Sequence, residues 1–267
     1  MTRALIFDCD GVLSDTERYG HLVAFNAMFA EVGVPIRWTD EQYAQLVTIG
    51  GGKERLAHAL SPRLLADLGL AHTADEIGQL VRRWHATKTR HYQDLVEAGA
   101  LPPRPGVARL TQEALARGWR VAVASTSAEA TVRTVLDHAV GRATARRFEV
   151  FAGDVVAAKK PAPDIYLLAL RELGVGTGDA VVVEDSNTGL RASLAAGLRT
   201  VITVSSYTIH DDFTGAALVA DSLGEPDAPS TARHDPAGLL RGSVVDVSVL
   251  EQVLRTPSPQ CCCPDRT

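Results

Sequence analysis

The hydrophobic pattern of the chain alternates between short apolar runs and longer amphipathic segments. Five runs are apolar throughout and rich in valine and isoleucine; they span 4–8, 120–125, 150–154, 180–185 and 199–204. Continuous apolar runs are typical of parallel strands that are covered on both faces. Segments with helical periodicity precede or separate the later runs, at 107–117, 127–138, 164–173 and 188–196. The pattern therefore predicts an α/β fold with a doubly wound, Rossmann-like parallel sheet.

A long interruption follows the first apolar run. Between about Glu17 and Gly99 the pattern is helical, with no buried-strand run, and the prolines of "LPPRPGV" (101–107) mark the return to the sheet. We therefore predict an α/β core formed by residues 1–16 and 99–225, and a small α-helical domain, 17–98, inserted into it. We expect this insertion over the strand ends, where loops commonly carry function.

The C-terminal segment, 226–267, has a different composition. It is rich in Pro, Ala and Ser, and its one apolar run, 243–254, fits either a strand or a helix. We predict a partly disordered extension. The run Cys261–Cys263 has no partner Cys or His at zinc-site spacing, and Cys9 fits a small buried side chain, so no disulfide framework follows.

Composition narrows the class of protein. The 267 residues are 46% hydrophobic and 22% charged with a net charge of -5, which is typical of a soluble globular protein and argues against nucleic acid as a partner. No apolar run is long enough to cross a membrane, and no secretory signal is visible. We expect a cytoplasmic protein and a monomer.

Polar side chains follow four of the apolar runs. Asp8 and Asp10 end the first run, where residues i and i+2 of an extended segment project to one side, and Gly11 allows a sharp turn. Ser125 ends the second run, and its hydroxyl and the following N–H groups suit a phosphate. Each motif also has a simpler explanation when it is taken alone. Asp8 and Asp10 could form a polar turn, and Thr126 or Ser127 could cap a helix.

The other two ends carry a lysine and two acids. Lys160 precedes Pro161, which keeps it extended before a helix, and Glu184 and Asp185 end a buried run. Taken alone, Lys160 could be a solvated loop lysine, and Glu184 and Asp185 could form an acidic helix cap. Together, however, four strand ends with this set of carboxylates need a cation, and hard oxygen ligands favour Mg²⁺. Mg²⁺ beside a nucleophilic carboxylate is the apparatus of phosphoryl transfer.

The order of these motifs resembles the haloacid dehalogenase-like superfamily. Its four motifs match "DCDGVLSDTE", "VAVASTS", "KKPAPDIY" and "VVVEDS", and the resemblance covers about residues 3–225. It implies that Asp8 is the nucleophile, that Asp10 handles the proton of the leaving group, and that Ser125 and Lys160 hold the phosphoryl group. Thr126 and Ser127 would add substrate contacts. Mg²⁺ would be bound by the Asp8 carboxylate, the Asp10 carbonyl and Asp185, with Glu184 assisting through water or Lys160.

Within that superfamily, the chain is similar to the CbbY-type phosphatases. The segments that carry this similarity are "TIGGGKERL", "FAGDVVAAKKPAPDIYLLAL" and "YTIHDDFTGAALV". The resemblance implies a phosphorylated sugar as the substrate, xylulose-1,5-bisphosphate or a similar bisphosphate. Glu17 would bind sugar hydroxyls. In the glycine-rich segment around Gly52, Lys53 and Arg55 would reach the second phosphate, unless this segment is only a flexible linker.

Three other functions compete with a phosphatase. A β-phosphoglucomutase-like phosphomutase would share the fold, metal and nucleophile, and would differ in the acceptor of the phosphoryl group. A 2-haloacid dehalogenase needs no Mg²⁺ and generally lacks the second acid of the first motif, so Asp10 argues against it. A non-enzymatic protein on the same fold would be expected to have lost a motif residue, and here every motif position is filled.

Overall fold

Seven strands form one sheet with helices on its faces. The computed structural model describes residues 2–49, 51–70 and 73–256. The strand order is β3-β2-β1-β4-β5-β6-β7, and all neighbours are parallel except β6 and β7. The strands are β1 (Ala4–Phe7), β2 (Arg120–Ser125), β3 (Phe148–Ala152), β4 (Ala180–Glu184), β5 (Arg199–Thr203), β6 (Leu218–Ala220) and β7 (Ala232–His234). This confirms the predicted doubly wound α/β fold.

The strand order reverses direction at β1, which has β2 on one side and β4 on the other. Phe7 at the end of β1 is in register with Val123 of β2 and with Val183 of β4. Asp8, Ala124 and Glu184, which follow these three positions, therefore lie at the same level of the sheet. In open α/β sheets, the crevice at such a reversal is the usual ligand site.

The four helices predicted for the sheet domain are present, and each begins and ends within two residues of its predicted bounds. All four are amphipathic, and their apolar faces contribute buried residues to the core. They are α6 (Val107–Ala116), α7 (Glu129–Val140), α9 (Asp164–Leu173) and α10 (Asn187–Ala195), with the short α8 (Arg142–Ala145) after α7. Helical periodicity in the sequence thus located these four helices correctly.

The region after residue 225 differs from the predicted extension. Strand β7 pairs with β6, and the apolar run at 243–254 contains a helix, α11 (Val247–Val253), whose apolar side is buried. The Asp246 side chain accepts a hydrogen bond from the N–H of Val249 and caps this helix. The described part of this segment therefore belongs to the sheet domain. The Cys261–Cys263 run lies outside the described residues.

Thr16–Leu101 forms a second compact unit, while residues up to Asp15 and from Pro102 on form the first. The described residues of the second unit form a π-helical turn, Glu17–Leu22, and helices, without strands. The helices are α1 (Val23–Glu31), α2 (Asp40–Leu46), α3 (Gly52–Ala59), α4 (Pro62–Asp67) and α5 (Ala74–Glu97). Its core is aromatic, with Trp38 against Phe25 and Phe29 at ring-centroid distances of 4.8 and 5.0 Å. Within the described ranges, no helix has the length and apolarity that crossing a membrane requires.

The two chain segments that flank the helical unit are hydrogen-bonded to each other inside the sheet domain. The Ser14 hydroxyl donates to the carbonyl of Pro102 at 2.9 Å, and the N–H of Arg104 donates to the carbonyl of Leu13 at 3.0 Å. A single antiparallel bridge joins Ser14 and Pro103. The insertion therefore starts and ends at one point of the core.

Arg104 links three loops at the carboxyl edge of the sheet. Its guanidinium donates to the carbonyls of Gly11, Val204 and Asp221 at 2.6, 2.7 and 2.6 Å. Burial lowers the pKa of Arg104, while the charges of nearby acids, Asp185 first among them, act in the opposite direction. The guanidinium thus satisfies backbone acceptors beyond β1, β5 and β6 that the strand ladder does not reach.

Candidate active site

Asp8, Lys160 and Glu184 form a buried charge cluster at the sheet reversal. Asp8 directly follows β1, and Glu184 is the last residue of β4. The Lys160 ammonium donates to Oδ1 of Asp8 at 2.6 Å and to Oε1 of Glu184 at 2.7 Å. It donates also to the carbonyl of Ala124 at 2.9 Å. A lysine that binds two carboxylates and the neighbouring strand is not a solvated loop residue, so that alternative is wrong.

The cluster carries more negative charge than Lys160 offsets. Burial raises the pKa of Asp8 to about 7; the Lys160 charge opposes this rise, and the charges of Glu184 and Asp10 add to it. Burial also raises the pKa of Asp185, and the charges of Glu184 and Asp8 raise it further. Burial alone would lower the pKa of Lys160, but Asp8 and Glu184 raise it, so the ammonium stays charged. Two carboxyls with raised pKa values call for a further positive charge.

The arrangement of these carboxylates fits a divalent cation. Asp8, Glu184 and Asp185 each place one carboxylate oxygen so that all three lie within 4.8 Å of one another. All three residues are buried. A cation among them would offset the charge that raises the pKa values of Asp8 and Asp185, and carboxylate oxygens are the ligands that hard divalent cations prefer. The residues present therefore fit a metal site.

Gly11 makes room for this site. Its φ of +82° lies in the left-handed region, and a Cβ placed on it would come within 2.0 Å of Oδ2 of Asp185. The turn after Asp10 thus needs glycine for its conformation and for the close approach of the Asp185 carboxylate.

Asp10 is held by the loop after β2. The hydroxyl of Ser127 donates to Oδ2 of Asp10 at 2.5 Å, and the N–H of Ser127 donates to Oγ of Ser125 at 3.1 Å. The next helix, α7, has Ala128 at its N-cap and no side-chain cap. The alternative in which Thr126 or Ser127 caps this helix is therefore wrong. Ser127 instead binds and orients the Asp10 carboxylate.

Glu184 is surrounded by four donors. Its Oε1 accepts from Lys160 and from the Tyr166 hydroxyl, each at 2.7 Å. Its Oε2 accepts from the N–H of Asp185 at 3.1 Å and from the Ser186 hydroxyl at 3.3 Å. Ser186 also accepts from the N–H of Gly189 and caps α10. Both carboxylate oxygens of Glu184 are thus hydrogen-bonded within the protein.

Gly189 is packed against the same carboxylate. A Cβ at Gly189 would lie 1.8 Å from Oε1 of Glu184. In a helix, Gly→Ala normally stabilises by up to about 1 kcal/mol. Here we expect Gly189→Ala to lower the free energy of unfolding by about 2 kcal/mol, because Glu184 would have to leave its donors. Urea denaturation measures this change.

A second Gly→Ala substitution controls for the effect that replacing a glycine has on stability by itself. Gly176 has a φ of −83°, and among the described residues no atom outside its chain neighbours lies within 4 Å of the place that a Cβ would take. Gly176→Ala is therefore expected to be neutral or slightly stabilising. Equal unfolding free energies for the two variants would contradict the tight packing of Gly189 on Glu184.

The helical unit places its predicted residues in a separate network. Oε2 of Glu17 accepts from the Tyr43 hydroxyl at 2.6 Å and from Nη1 of Arg55 at 3.0 Å. Burial alone would raise the pKa of Glu17, but the charges of His21 and Arg55 and the hydrogen bonds from Tyr43 and Arg55 hold it below its usual value. Arg55 is itself buried, so its guanidinium serves Glu17 and Tyr43 within this unit.

The other two predicted residues of this segment differ in exposure. Lys53 is exposed on the first turn of α3. Gly52, the first residue of that helix, packs so closely on α5 that a Cβ would lie 2.7 Å from Nε2 of His85. Gly52 therefore has a packing role here, and a flexible linker does not describe it.

Sequence reasoning missed two residues beside the cluster, Tyr166 and Arg104. Tyr166 stands in the quoted motif "KKPAPDIY", but an aromatic residue on the apolar face of a helix is typical of a core position. Arg104 lies between the prolines of "LPPRPGV", where the prolines are the stronger signal and indicate only a break in the helix.

Comparison with known proteins shows which family the chain resembles. The family model for haloacid dehalogenase-like hydrolases matches residues 2–197. The chain is 44% identical over 243 residues to the plasmid-encoded protein CbbY of Cupriavidus necator, covering 90% of this chain and 92% of that protein.

Solved structures agree in fold. Crystal structures of CbbY from Rhodobacter sphaeroides, one in complex with phosphate and one of a mutant in complex with xylulose-1,5-bisphosphate, are 41% identical with a TM-score of 0.66. Each match covers 83% of this chain and 95% of that chain. A putative β-phosphoglucomutase from Thermotoga maritima is 28% identical with a TM-score of 0.59, covering 77% of this chain and 87% of that chain. The chain therefore belongs to the haloacid dehalogenase-like hydrolase family, in which it is a phosphatase related to the CbbY proteins.

Proposed function

We propose that this protein removes a phosphate from a sugar bisphosphate, xylulose-1,5-bisphosphate or a similar compound, through an aspartyl-phosphate at Asp8. The observation that carries the proposal is the Lys160 ammonium, which binds both Asp8 and Glu184 beside Asp185. The substrate class is supported by the 41% identical CbbY structure that holds xylulose-1,5-bisphosphate. That the protein is a cytoplasmic monomer stays a prediction.

In the first half of the reaction, a carboxylate oxygen of Asp8 attacks phosphorus and the bond from phosphorus to the sugar oxygen breaks. Asp10 gives its proton to that oxygen as it leaves. The Ser127 hydroxyl, which binds Oδ2 of Asp10, orients the carboxyl for this transfer. Lys160 orients Asp8 and favours its ionised form, because the lysine charge opposes the rise in the Asp8 pKa.

In the second half, water attacks the phosphorus of the aspartyl-phosphate and the bond to Asp8 breaks. Asp10, now ionised, accepts the proton of that water, so one residue serves as acid and then as base. Ser125, at the end of β2, would hold the phosphoryl oxygens together with the N–H groups of Thr126 and Ser127. The Lys160 ammonium, whose three hydrogens go to Asp8, Glu184 and the carbonyl of Ala124, would offset the negative charge of the phosphoryl group.

Mg²⁺ would be held by Asp8, Asp185 and the Asp10 carbonyl, with Glu184 assisting, and when bound it supplies charge neutralisation for the phosphoryl oxygens. The support for Mg²⁺ is the buried set of hard oxygen ligands and the raised pKa values of Asp8 and Asp185.

A substrate panel tests the proposal. Phosphate release would be measured from sugar mono- and bisphosphates, including xylulose- and ribulose-1,5-bisphosphate, with Mg²⁺ and with EDTA. We expect metal-dependent release with a strong preference for the xylulose compound. Release without that preference would leave a general sugar phosphatase. An isomerised sugar phosphate without net phosphate release would replace the proposal with the phosphomutase, to which the Thermotoga maritima structure is a weaker likeness.

Substrate choice is expected to depend on Glu17, Gly52, Lys53 and Arg55 of the helical unit. Lys53 is exposed, while Arg55 is buried in its pair with Glu17. We therefore propose that Lys53 contributes charge for the second phosphate, and that Arg55 acts by holding Glu17 for the sugar hydroxyls.

Lys53→Ala tests this division of roles. We expect the variant to raise KM about tenfold for a bisphosphate and less than twofold for the matching monophosphate, because only the bisphosphate has a second phosphate to lose a charge-assisted contact. Steady-state kinetics on both substrates measures the difference. An equal change of KM for the two would remove Lys53 from substrate choice.

A further inference from the structure

Tyr166 stands on the first turn of α9, where its ring is fully buried against the sheet. Its hydroxyl donates to Oε1 of Glu184 at 2.7 Å. Burial raises the pKa of Tyr166, and the charge of Glu184 raises it further, so the hydroxyl keeps its proton and acts as a donor. This contact links the protein core to the charge cluster.

The same side chain touches both members of the Lys160–Glu184 pair. The Lys160 ammonium lies 4.9 Å from the centroid of the Tyr166 ring, within the range of a cation–π contact. Lys160 and the Tyr166 hydroxyl share one acceptor, Oε1 of Glu184. Tyr166 therefore restrains the lysine through the ring and the carboxylate through the hydroxyl.

Lys160 has no spare hydrogen in this arrangement. An ammonium offers three donors, and they go to Asp8, Glu184 and the carbonyl of Ala124. The direction of the bond to Asp8 is thus fixed by where Glu184 and Ala124 lie. The carbonyl of Ala124 is held by the strand pairing of β2, whereas the Glu184 carboxylate depends on its own donors for its position.

We propose that Tyr166 is a positioning residue of the phosphatase reaction: its hydroxyl fixes Glu184, Glu184 fixes the Lys160 ammonium, and Lys160 aims the Asp8 carboxylate. The proposal rests on the proposed function of Asp8 as the nucleophile. Because Tyr166 acts through two other residues, its loss should change the chemical step more than substrate binding.

Tyr166→Phe tests the chain of contacts, since it removes the hydroxyl and keeps the ring that faces Lys160. We expect kcat for the best substrate of the panel to fall about tenfold, equal to about 1.4 kcal/mol of the barrier. KM and the Kd for Mg²⁺, measured by calorimetry on the metal-free protein, should change by less than twofold. An unchanged kcat, or a Kd for Mg²⁺ that rises as much as kcat falls, would overturn the proposal.

Ile165→Val is the matched control. Ile165 is the neighbouring residue on α9 and equally buried, but it is an apolar member of the core. Its truncation is expected to lower Tm without changing kcat. If Ile165→Val lowered kcat as much as Tyr166→Phe at a similar loss of Tm, the effect of Tyr166 would be one of general stability and the proposal would fail.

A binding measurement separates this proposal from the proposed function. Trifluoroberyllate bonds to an aspartate carboxylate in place of a phosphoryl group, and its binding in the presence of Mg²⁺ is observed by fluorine NMR. We expect Tyr166→Phe to weaken it about tenfold. A wild-type protein that binds trifluoroberyllate but releases no phosphate would contradict the proposed function alone, while equal affinities for wild type and variant would overturn the role of Tyr166.

Discussion

Asp8→Asn is expected to abolish turnover, with kcat lower by at least about 10⁴-fold. The amide has no negative charge and cannot form the bond to phosphorus. It also removes one of the three carboxylates that lie within 4.8 Å of one another. Phosphate release from the best substrate measures the loss, and substantial residual activity would refute the covalent mechanism.

The stability of the same variant shows whether its fold is intact. The pKa of Asp8 is raised from 3.8 to about 7, so in the metal-free wild type its ionisation costs stability as pH rises through this window. Asparagine resembles the neutral form and escapes that cost. In EDTA at neutral pH we therefore expect the variant to have a Tm at least as high as the wild type, with the difference shrinking towards pH 4. A lower Tm would mean that lost activity reflects damage to the fold.

Lys160→Ala is expected to lower kcat/KM about 10³-fold and the free energy of unfolding by about 3 kcal/mol. The lysine is buried, and its loss leaves Asp8 and Glu184 without the cation that each contacts within 2.7 Å. Kinetics and urea denaturation measure the two effects. Because a divalent cation restores part of the charge, the stability loss should be smaller in Mg²⁺ than in EDTA.

The adjacent lysine provides the control. Lys159 is half exposed and pairs with the exposed Asp154 at 2.8 Å. Such surface pairs contribute less than about 1 kcal/mol, so Lys159→Ala should leave both kcat/KM and stability nearly unchanged. Similar losses for the two lysines would show that general positive charge, and not the position of Lys160, supports the site.

The sheet could be predicted because its strands carry a strong signal. Strands β1, β2, β4 and β5 are buried on both faces, which gives continuous apolar runs, and the helices between them have clear periodicity. Strands β6 and β7 were not predicted: each has only three residues, and those of β7 are exposed, so neither gives a long apolar run. Strand β7 exists because β6 offers an open edge, which is a property of the folded sheet and not of the segment.

The site was predictable to the extent that its residues end strands. Asp8, Glu184 and Asp185 met because parallel strands end at one edge, and order along the chain was enough to predict this. Lys160 reaches them from the segment between β3 and α9. The contacts of Arg55 were not predictable in the same way. Its partner Glu17 is 38 residues away within a helical unit, and no local pattern indicates that an arginine after three glycines is buried.

The hydrogen bonds between the two chain segments that flank the helical insertion bear on how the length of the insertion can change. Ser14 and Leu13 are bonded to Pro102 and Arg104 inside the core, so the core already has the geometry of a hairpin stem at this point. The entropy of closing a loop on a preformed stem grows slowly with its length, by about 0.6 kcal/mol per doubling. A change in the length of the insert between Asp15 and Pro102 is therefore expected to change the entropy of closing it only slightly.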